Sequence, residues 1–267
     1  METVFIENKG VKLYCEVRGE GEPLLLIHGG TGECGYFTPA ADILAKKFKV
    51  ITYDRRCCSR TKADEASDAS VYESASDAAR IVQELCSGKA NAFGTSAGGT
   101  IALGLAQFFP EYFDTIISHE APAYDVLEDK TDYDLMMRIV NVTLPERGME
   151  EAVREFFPII IADPNPANRM DPDVQARMNA NTPYFIKHEL LPFIQYRFDY
   201  DKLQKNDVNL ILIAGSGSRK AGSSLYFSPA ALAERIKRRF IEIPGYHCYP
   251  NEHAEQFAEV LSGILMK

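Results

Sequence analysis

The sequence predicts an α/β fold, a mostly parallel sheet with helices on both faces. Short apolar runs that suit interior strands recur along the chain, and the segments between them carry apolar residues three and four apart. One long stretch breaks this alternation and reads as helix alone, which predicts an insertion into the sheet domain.

The chain opens with two polar-alternating strands, 3–7 and 12–17, joined by a turn at Asn8-Lys9-Gly10. A second turn, Gly19-Glu20-Gly21-Glu22-Pro23, leads into Leu24-Leu25-Leu26-Ile27, apolar on both faces as a covered strand requires. The pattern returns at 49–53, 91–94, 115–118, 210–214 and 240–243, which makes eight strands. Helical periodicity runs over 38–47, 74–85, 97–108, 229–237 and 252–265. The opening meander supplies an antiparallel edge. Residues 124–207 hold no run that belongs in the sheet, while 150–161 and 172–198 read as helices rich in Phe and Tyr. We read 1–123 and 208–267 as the core domain and 124–207 as a helical cap over a pocket, inserted after the sixth strand.

At 267 residues with 46% hydrophobic content, the chain buries a sizeable core. Its formal net charge of −9, without any Lys/Arg-rich block, argues against a nucleic acid or an anionic membrane as partner. The first residues lack a signal-peptide pattern, and no apolar run approaches the ~20 residues that span a bilayer. Six cysteines, at 15, 34, 57, 58, 86 and 248, form neither a CxxC pair nor a disulfide framework. The expectation is a cytoplasmic monomer or homodimer with free thiols, acting on a small molecule. No ligand cluster or nucleotide loop appears, so neither a metal nor an organic cofactor is expected.

Gly94-Thr95-Ser96-Ala97-Gly98-Gly99 follows an apolar strand and opens a helix. That is the setting of a G-x-S-x-G nucleophile elbow, where a tight turn leaves a serine hydroxyl exposed above the sheet edge. His28-Gly29-Gly30-Thr31-Gly32 ends the third strand. Its Gly30 N–H, with the N–H of Ala97 after the serine, makes a candidate oxyanion hole. His28 reads as a loop-holding residue. Ile243-Pro244-Gly245-Tyr246-His247 follows the last strand, and of the five histidines only His247 is placed to reach back to Ser96 as general base. His253 reads as a surface residue within the final helix.

His-Gly-Gly, Tyr53-Asp54-Arg55-Arg56, the Ser96 elbow, and Pro-Gly-x-His followed by Glu252, His253 and Phe257 together resemble the α/β-hydrolase superfamily. The resemblance spans the chain apart from the cap, and implies an eight-stranded sheet with triad order Ser, acid, His. One departure follows Tyr-Asp-Arg-Arg: many members have glycines in the next loop, where this chain has Cys57, Cys58 and Ser59.

The acid is the open point. Most members carry an Asp after the seventh strand, yet no Asp or Glu occurs in 208–233. Glu120, at the end of the sixth strand, adjoins the nucleophile strand and is long enough to reach His247; Asp125 is the alternative. A few α/β-hydrolases place the acid after strand six. The fungal zearalenone lactonases are a similar case, and this chain resembles them also at Gly32-Glu33-Cys34 and Pro244-Gly245-x-His247. That likeness implies Glu120 as acid and Gly30 as oxyanion donor. The reading is a serine hydrolase cleaving a carboxylic ester or lactone of a small, apolar substrate through an acyl-enzyme. A C–C bond hydrolase or amidase on the same triad, or a non-catalytic ligand-binding member, is the alternative.

Overall fold

The computed structural model describes residues 1–63 and 67–266. Eight strands form one sheet: β1 (Glu2–Asn8), β2 (Val11–Arg18), β3 (Glu22–Ile27), β4 (Phe48–Tyr53), β5 (Ala90–Thr95), β6 (Phe113–His119), β7 (Asn209–Gly215) and β8 (Arg239–Ile243). Their order is β1-β2-β4-β3-β5-β6-β7-β8. The opening meander pairs antiparallel and meets β4 antiparallel; every pair from β4 through β3 to β8 is parallel. The predicted fold class is the one observed.

Twelve α-helices lie among the described residues. Before β6 come α1 (Thr38–Leu44), α2 (Val71–Leu85) and α3 (Ala97–Phe108). Between β6 and β7 come α4 (Thr131–Arg138), α5 (Leu144–Phe156), α6 (Pro172–Tyr184), α7 (Leu190–Ile194) and α8 (Tyr200–Lys205). After β7 come α9 (Ser216–Lys220), α10 (Ser224–Ile236), α11 (Tyr249–Glu252) and α12 (Ala254–Leu265). Alternation along β3 sorts its side chains between two cores. Leu25 and Ile27 pack with Ile101, Leu105 and Leu232 of α3 and α10, whereas Leu24 and Leu26 pack with Phe37, Leu44 and Phe257 near α1 and α12. β3 is thus covered on both sides, the physical reason its run reads as continuously apolar.

Several boundaries differ from the sequence reading. The helix expected at 74 begins at Val71, because Ser70 caps it and accepts from the Glu73 N–H. The helix expected at Pro229 begins at Ser224, capped by Ser223, and takes the proline inside. The final helix is broken at His253, whose backbone (φ −134°, ψ 54°) separates α11 from α12. His253 is therefore not a helical surface residue, and its Nε2 meets Asp163 Oδ2 at 2.9 Å.

The segment between β6 and β7 contains no strand. Tyr124, Met136, Ile139, Phe156, Phe185 and Leu190 gather there in a third, separate core. The helix expected across 172–198 is interrupted by a π-helical turn, Phe185–Glu189, which begins two residues after Pro183. α8 behaves differently from its neighbours: Leu203 packs into the α3–α10 side of the sheet. The departure at Cys57-Cys58-Ser59 also resolves. Cys57 (φ 61°) and Ser59 (φ 47°) adopt the left-handed conformations that glycine favours, and Asn181 Oδ1 holds the Ser59 N–H at 2.9 Å.

Candidate active site

β5 ends at Thr95 and α3 begins at Ala97, so Ser96 alone makes the turn. Its φ of 58° and ψ of −123° are strained for any residue with a side chain. The flanking glycines permit this close approach. A Cβ on Gly94 would lie 2.0 Å from the Gly98 carbonyl oxygen, and one on Gly98 would lie 2.2 Å from that of Ile27. The Ser96 N–H donates to the His119 carbonyl oxygen at 2.8 Å, which ties the turn to β6.

Glu120 occupies the equivalent place after β6, also at positive φ (46°), and is fully buried. One carboxylate oxygen accepts from the Gly215 N–H at 2.9 Å, and the other lies 2.7 Å from His247 Nδ1. His247 sits between β8 and α11, 5% exposed, with its N–H donating to the Ile161 carbonyl oxygen. A carboxylate at Nδ1 keeps the proton on that nitrogen and leaves Nε2 as the acceptor. Burial pushes the Glu120 carboxyl up, but the His247 hydrogen bond, helped by the Gly215 N–H, brings it down to about 2. It is ionised at neutral pH. His119 stacks between Phe93 and His247, with ring centroids 6.0 and 6.2 Å away. Burial depresses it to about 4, against the pull of Glu120, so it stays neutral.

The end of β7, where the superfamily resemblance implies an Asp, is filled by backbone. A Cβ on Gly215 would meet the Gly245 carbonyl oxygen at 2.3 Å, and one on Gly217 would meet it at 2.6 Å. Asp125, the alternative acid, points elsewhere: it accepts from the Tyr200 hydroxyl and pairs with Arg197 at 3.3 Å. The structure thus brings Glu120, and not Asp125, to His247.

His28 is buried, and burial, reinforced by the Arg55 charge, holds it well below the usual imidazole range. It receives the Arg55 N–H at 3.2 Å and lies 2.9 Å from the Gly29 carbonyl oxygen, a loop-holding place as the sequence suggested. Gly29, Gly30, Ser96, Phe156, Phe185 and His247 line a cavity of about 120 Å³. No hydrogen bond joins Ser96 to His247 among the described residues. A smaller lobe of about 30 Å³ also reaches Ser96 and is lined by Ala97, Tyr124, Met136, Phe193 and Leu225. An outer pocket of about 420 Å³, carrying Asn168, Arg169 and Glu252, shares Thr31, Tyr36 and Phe157 with the central cavity.

Glu33, Cys34 and Asp54 form a buried cluster of the kind that ligates metals. The Arg60 guanidinium already lies among them: it binds Glu33, reaches Asp54 Oδ2 at 2.7 Å and approaches Cys34 Sγ at 3.1 Å. The cluster is an arginine-neutralised ion network.

A strained serine between strand and helix, a glycine-rich loop opposite it and a carboxylate-bound histidine are the marks of an α/β hydrolase, and the α/β hydrolase fold family matches residues 22–158. The chain belongs to that family. It is 28% identical to an uncharacterized hydrolase, YraK, of Bacillus subtilis over 97% of this chain and 94% of the other. With a zearalenone hydrolase of Cladophialophora bantiana it shares 21% identity over the same proportions. A thermophilic esterase from Thermogutta terrifontis superposes with a TM-score of 0.79 at 20% identity, covering 100% of this chain and 98% of that one.

Sequence reading missed four residues that the structure gathers around the site: Arg55, His119, Asn181 and Glu189. All are buried polar groups. His119 and Arg55 stand inside motifs singled out for their neighbours, whereas Asn181 and Glu189 lie on an aromatic-rich helical stretch and carried no signal of their own.

Proposed function

We propose that the protein is a serine hydrolase that cleaves a small carboxylic ester or lactone through a Ser96–His247–Glu120 triad. His247 Nε2 takes the Ser96 proton as the hydroxyl attacks the carbonyl, and the N–H groups of Gly30 and Ala97 hold the oxyanion. Collapse expels the alcohol, protonated by His247. Water then attacks the acyl-enzyme, with His247 again as base. Glu120 orients the imidazole and stabilises its protonated form. The observation that carries this reading is the buried 2.7 Å Glu120–His247 contact, at the edge of the cavity that Ser96 enters.

The two lobes suggest how a substrate lies. His247 must protonate the leaving oxygen, so the alcohol belongs in the central cavity on its side and the acyl group in the small lobe beside Ala97. With about 30 Å³ of space and apolar walls, that lobe suits a short apolar acyl chain, and the outer pocket admits a larger alcohol. In a lactone, one ring straddles both. The zearalenone hydrolase relative, matched over nearly the whole chain, supports including lactones. The 124–207 segment serves as the cap, since Phe156, Phe185 and Phe193 wall the two lobes.

Steady-state kinetics over esters graded separately in acyl and alcohol size, alongside lactones, test the reading. The expected pattern is a fall in kcat/KM with acyl length beyond a few carbons, tolerance of large alcohols, and no turnover by Ser96→Ala. Equal turnover by Ser96→Ala, or no hydrolysis of any member, contradicts it.

A further inference from the structure

The insertion does more than roof the pocket. Along α6 and the π turn that follows, four residues spaced by four bear on the glycine-rich loop 28–33, three directly and the fourth through Arg55. Arg177 pairs with Glu33 at 3.2 Å. Asn181 donates to the carbonyl oxygens of Gly32 at 2.9 Å and Thr31 at 3.3 Å. The Phe185 ring rests on Gly30, where an added Cβ would lie 2.3 Å from a ring carbon. Glu189 grips Arg55 at 2.7 and 2.9 Å, and Arg55 in turn donates to the carbonyl oxygens of Gly29 at 2.9 Å and Gly30 at 2.8 Å. Asn181, Phe185, Glu189 and Arg55 are all buried.

The helix geometry favours this stripe. In an α-helix, four residues turn about 400°, so each step of four drifts about 40° off the starting face. A stripe of four residues would wander from the loop. The π turn Phe185–Glu189 is wider and turns less per residue, which takes back part of the drift and returns Glu189 to Arg55. The carbonyls of Gly29 and Gly30 face the guanidinium, so the peptide planes of this loop, and with them the direction of the Gly30 N–H, are fixed from the insertion's side.

We propose that this stripe, acting through Arg55, sets the oxyanion hole, so that Arg55, Asn181 and Glu189 are positioning residues for hydrolysis. The inference rests on the reading of Gly30 as an oxyanion donor. It predicts that breaking the stripe harms the tetrahedral state and spares the bound ester.

The test uses the full-length protein with its best ester and a trifluoromethyl ketone bearing the same acyl group, whose ionised hemiketal with Ser96 mimics the oxyanion. The informative variant is the double replacement Arg55→Met with Glu189→Leu, which removes both charges and leaves neither unpaired. The double variant is expected to unfold at a temperature near wild type. Its kcat should fall roughly 10²–10³-fold, the usual loss for one oxyanion donor, with KM within about threefold. Ketone affinity should fall in parallel. A merely structural role predicts the opposite, kcat held near wild type along with stability, and that result overturns the proposal. Should the double variant not fold, Asn181→Ser gives the same reading. A parallel loss of about tenfold in kcat and ketone affinity supports the proposal, and a change in KM alone overturns it. Wild-type protein that neither turns over esters nor binds the ketone removes the hydrolase reading itself. Normal wild-type behaviour with unaffected variants removes only the positioning role.

Discussion

The turns after β5 and β6 invite comparison. They leave neighbouring parallel strands at the same level, since Thr95 pairs with His119 in register. Each places a side chain at positive φ, Ser96 at 58° and Glu120 at 46°. Their support differs. The Ser96 turn is written in a local motif, with Gly94 and Gly98 lying against each other, and is tied to distant strands by the Ser96 N–H on His119 and by Gly98 against Ile27. The Glu120 turn is held from far along the chain: Gly215 donates to the carboxylate, His247 binds it, and Ser228 Oγ spans the Ala121 carbonyl oxygen and the Ala123 N–H. A strained position can therefore be encoded locally, as a motif, or distributed across elements that meet only after folding.

If the two turns serve one triad, their variants should rank by directness of contact with the reaction. Ser96→Ala should lower kcat by roughly 10³ or more, with folding intact, because the nucleophile is gone. Glu120→Gln should lower kcat by about 10²–10⁴ with little change in KM, because an amide donates where the imidazole needs an acceptor. Asp125→Asn, read in the same assay, should be much milder. A crippled Asp125→Asn beside an active Glu120→Gln breaks the comparison, since the distributed turn would then hold no catalytic group.

Two smaller effects sharpen it. Gly215→Ala forces a methyl group against the Gly245 carbonyl oxygen, 2.3 Å away, at the base of the His247 loop. Denaturant titration should register a loss of about 1–3 kcal/mol, the usual overpacking range; an unchanged midpoint would mean the β7 end is not close-packed. His119 gives a pH signature. Burial depresses its folded-state value from 6.5 to about 4, so the unfolded chain binds the proton first as pH falls. Its contribution to stability is complete above pH 6.5 and is lost as pH falls toward 4. Replacing it, as His119→Gln, should flatten the stability–pH curve across that window, by up to about 1.4 kcal/mol per pH unit. An identical slope in both proteins contradicts the assignment.

The same contrast explains what the sequence disclosed. The strands, their covered faces and the elbow were legible because periodicity and G-x-S-x-G are local signals. The place of Glu120 beside His247 was legible from its position at the end of the sixth strand, the likeness to zearalenone lactonases and the absence of carboxylates in 208–233. What excluded them was not visible: backbone of the 215–217 and 245 positions fills that space. The helix starts at Val71 and Ser224 were missed where a serine cap outweighed the apolar pattern or a proline. Arg55 and Asn181 were missed because their partners are backbone carbonyls on a loop more than twenty residues away, and Glu189 because its partner is the distant Arg55 guanidinium.

The central claim, that Glu120 activates Ser96 through His247, is tested most directly by the rate of fluorophosphonate labelling at Ser96, followed by intact-mass spectrometry. Wild-type protein should label stoichiometrically and Ser96→Ala not at all. The labelling rate should fall at least about a hundredfold in Glu120→Gln and hold in Asp125→Asn. Folded wild-type protein that stays inert, or a Glu120→Gln variant that labels at the wild-type rate, contradicts the account.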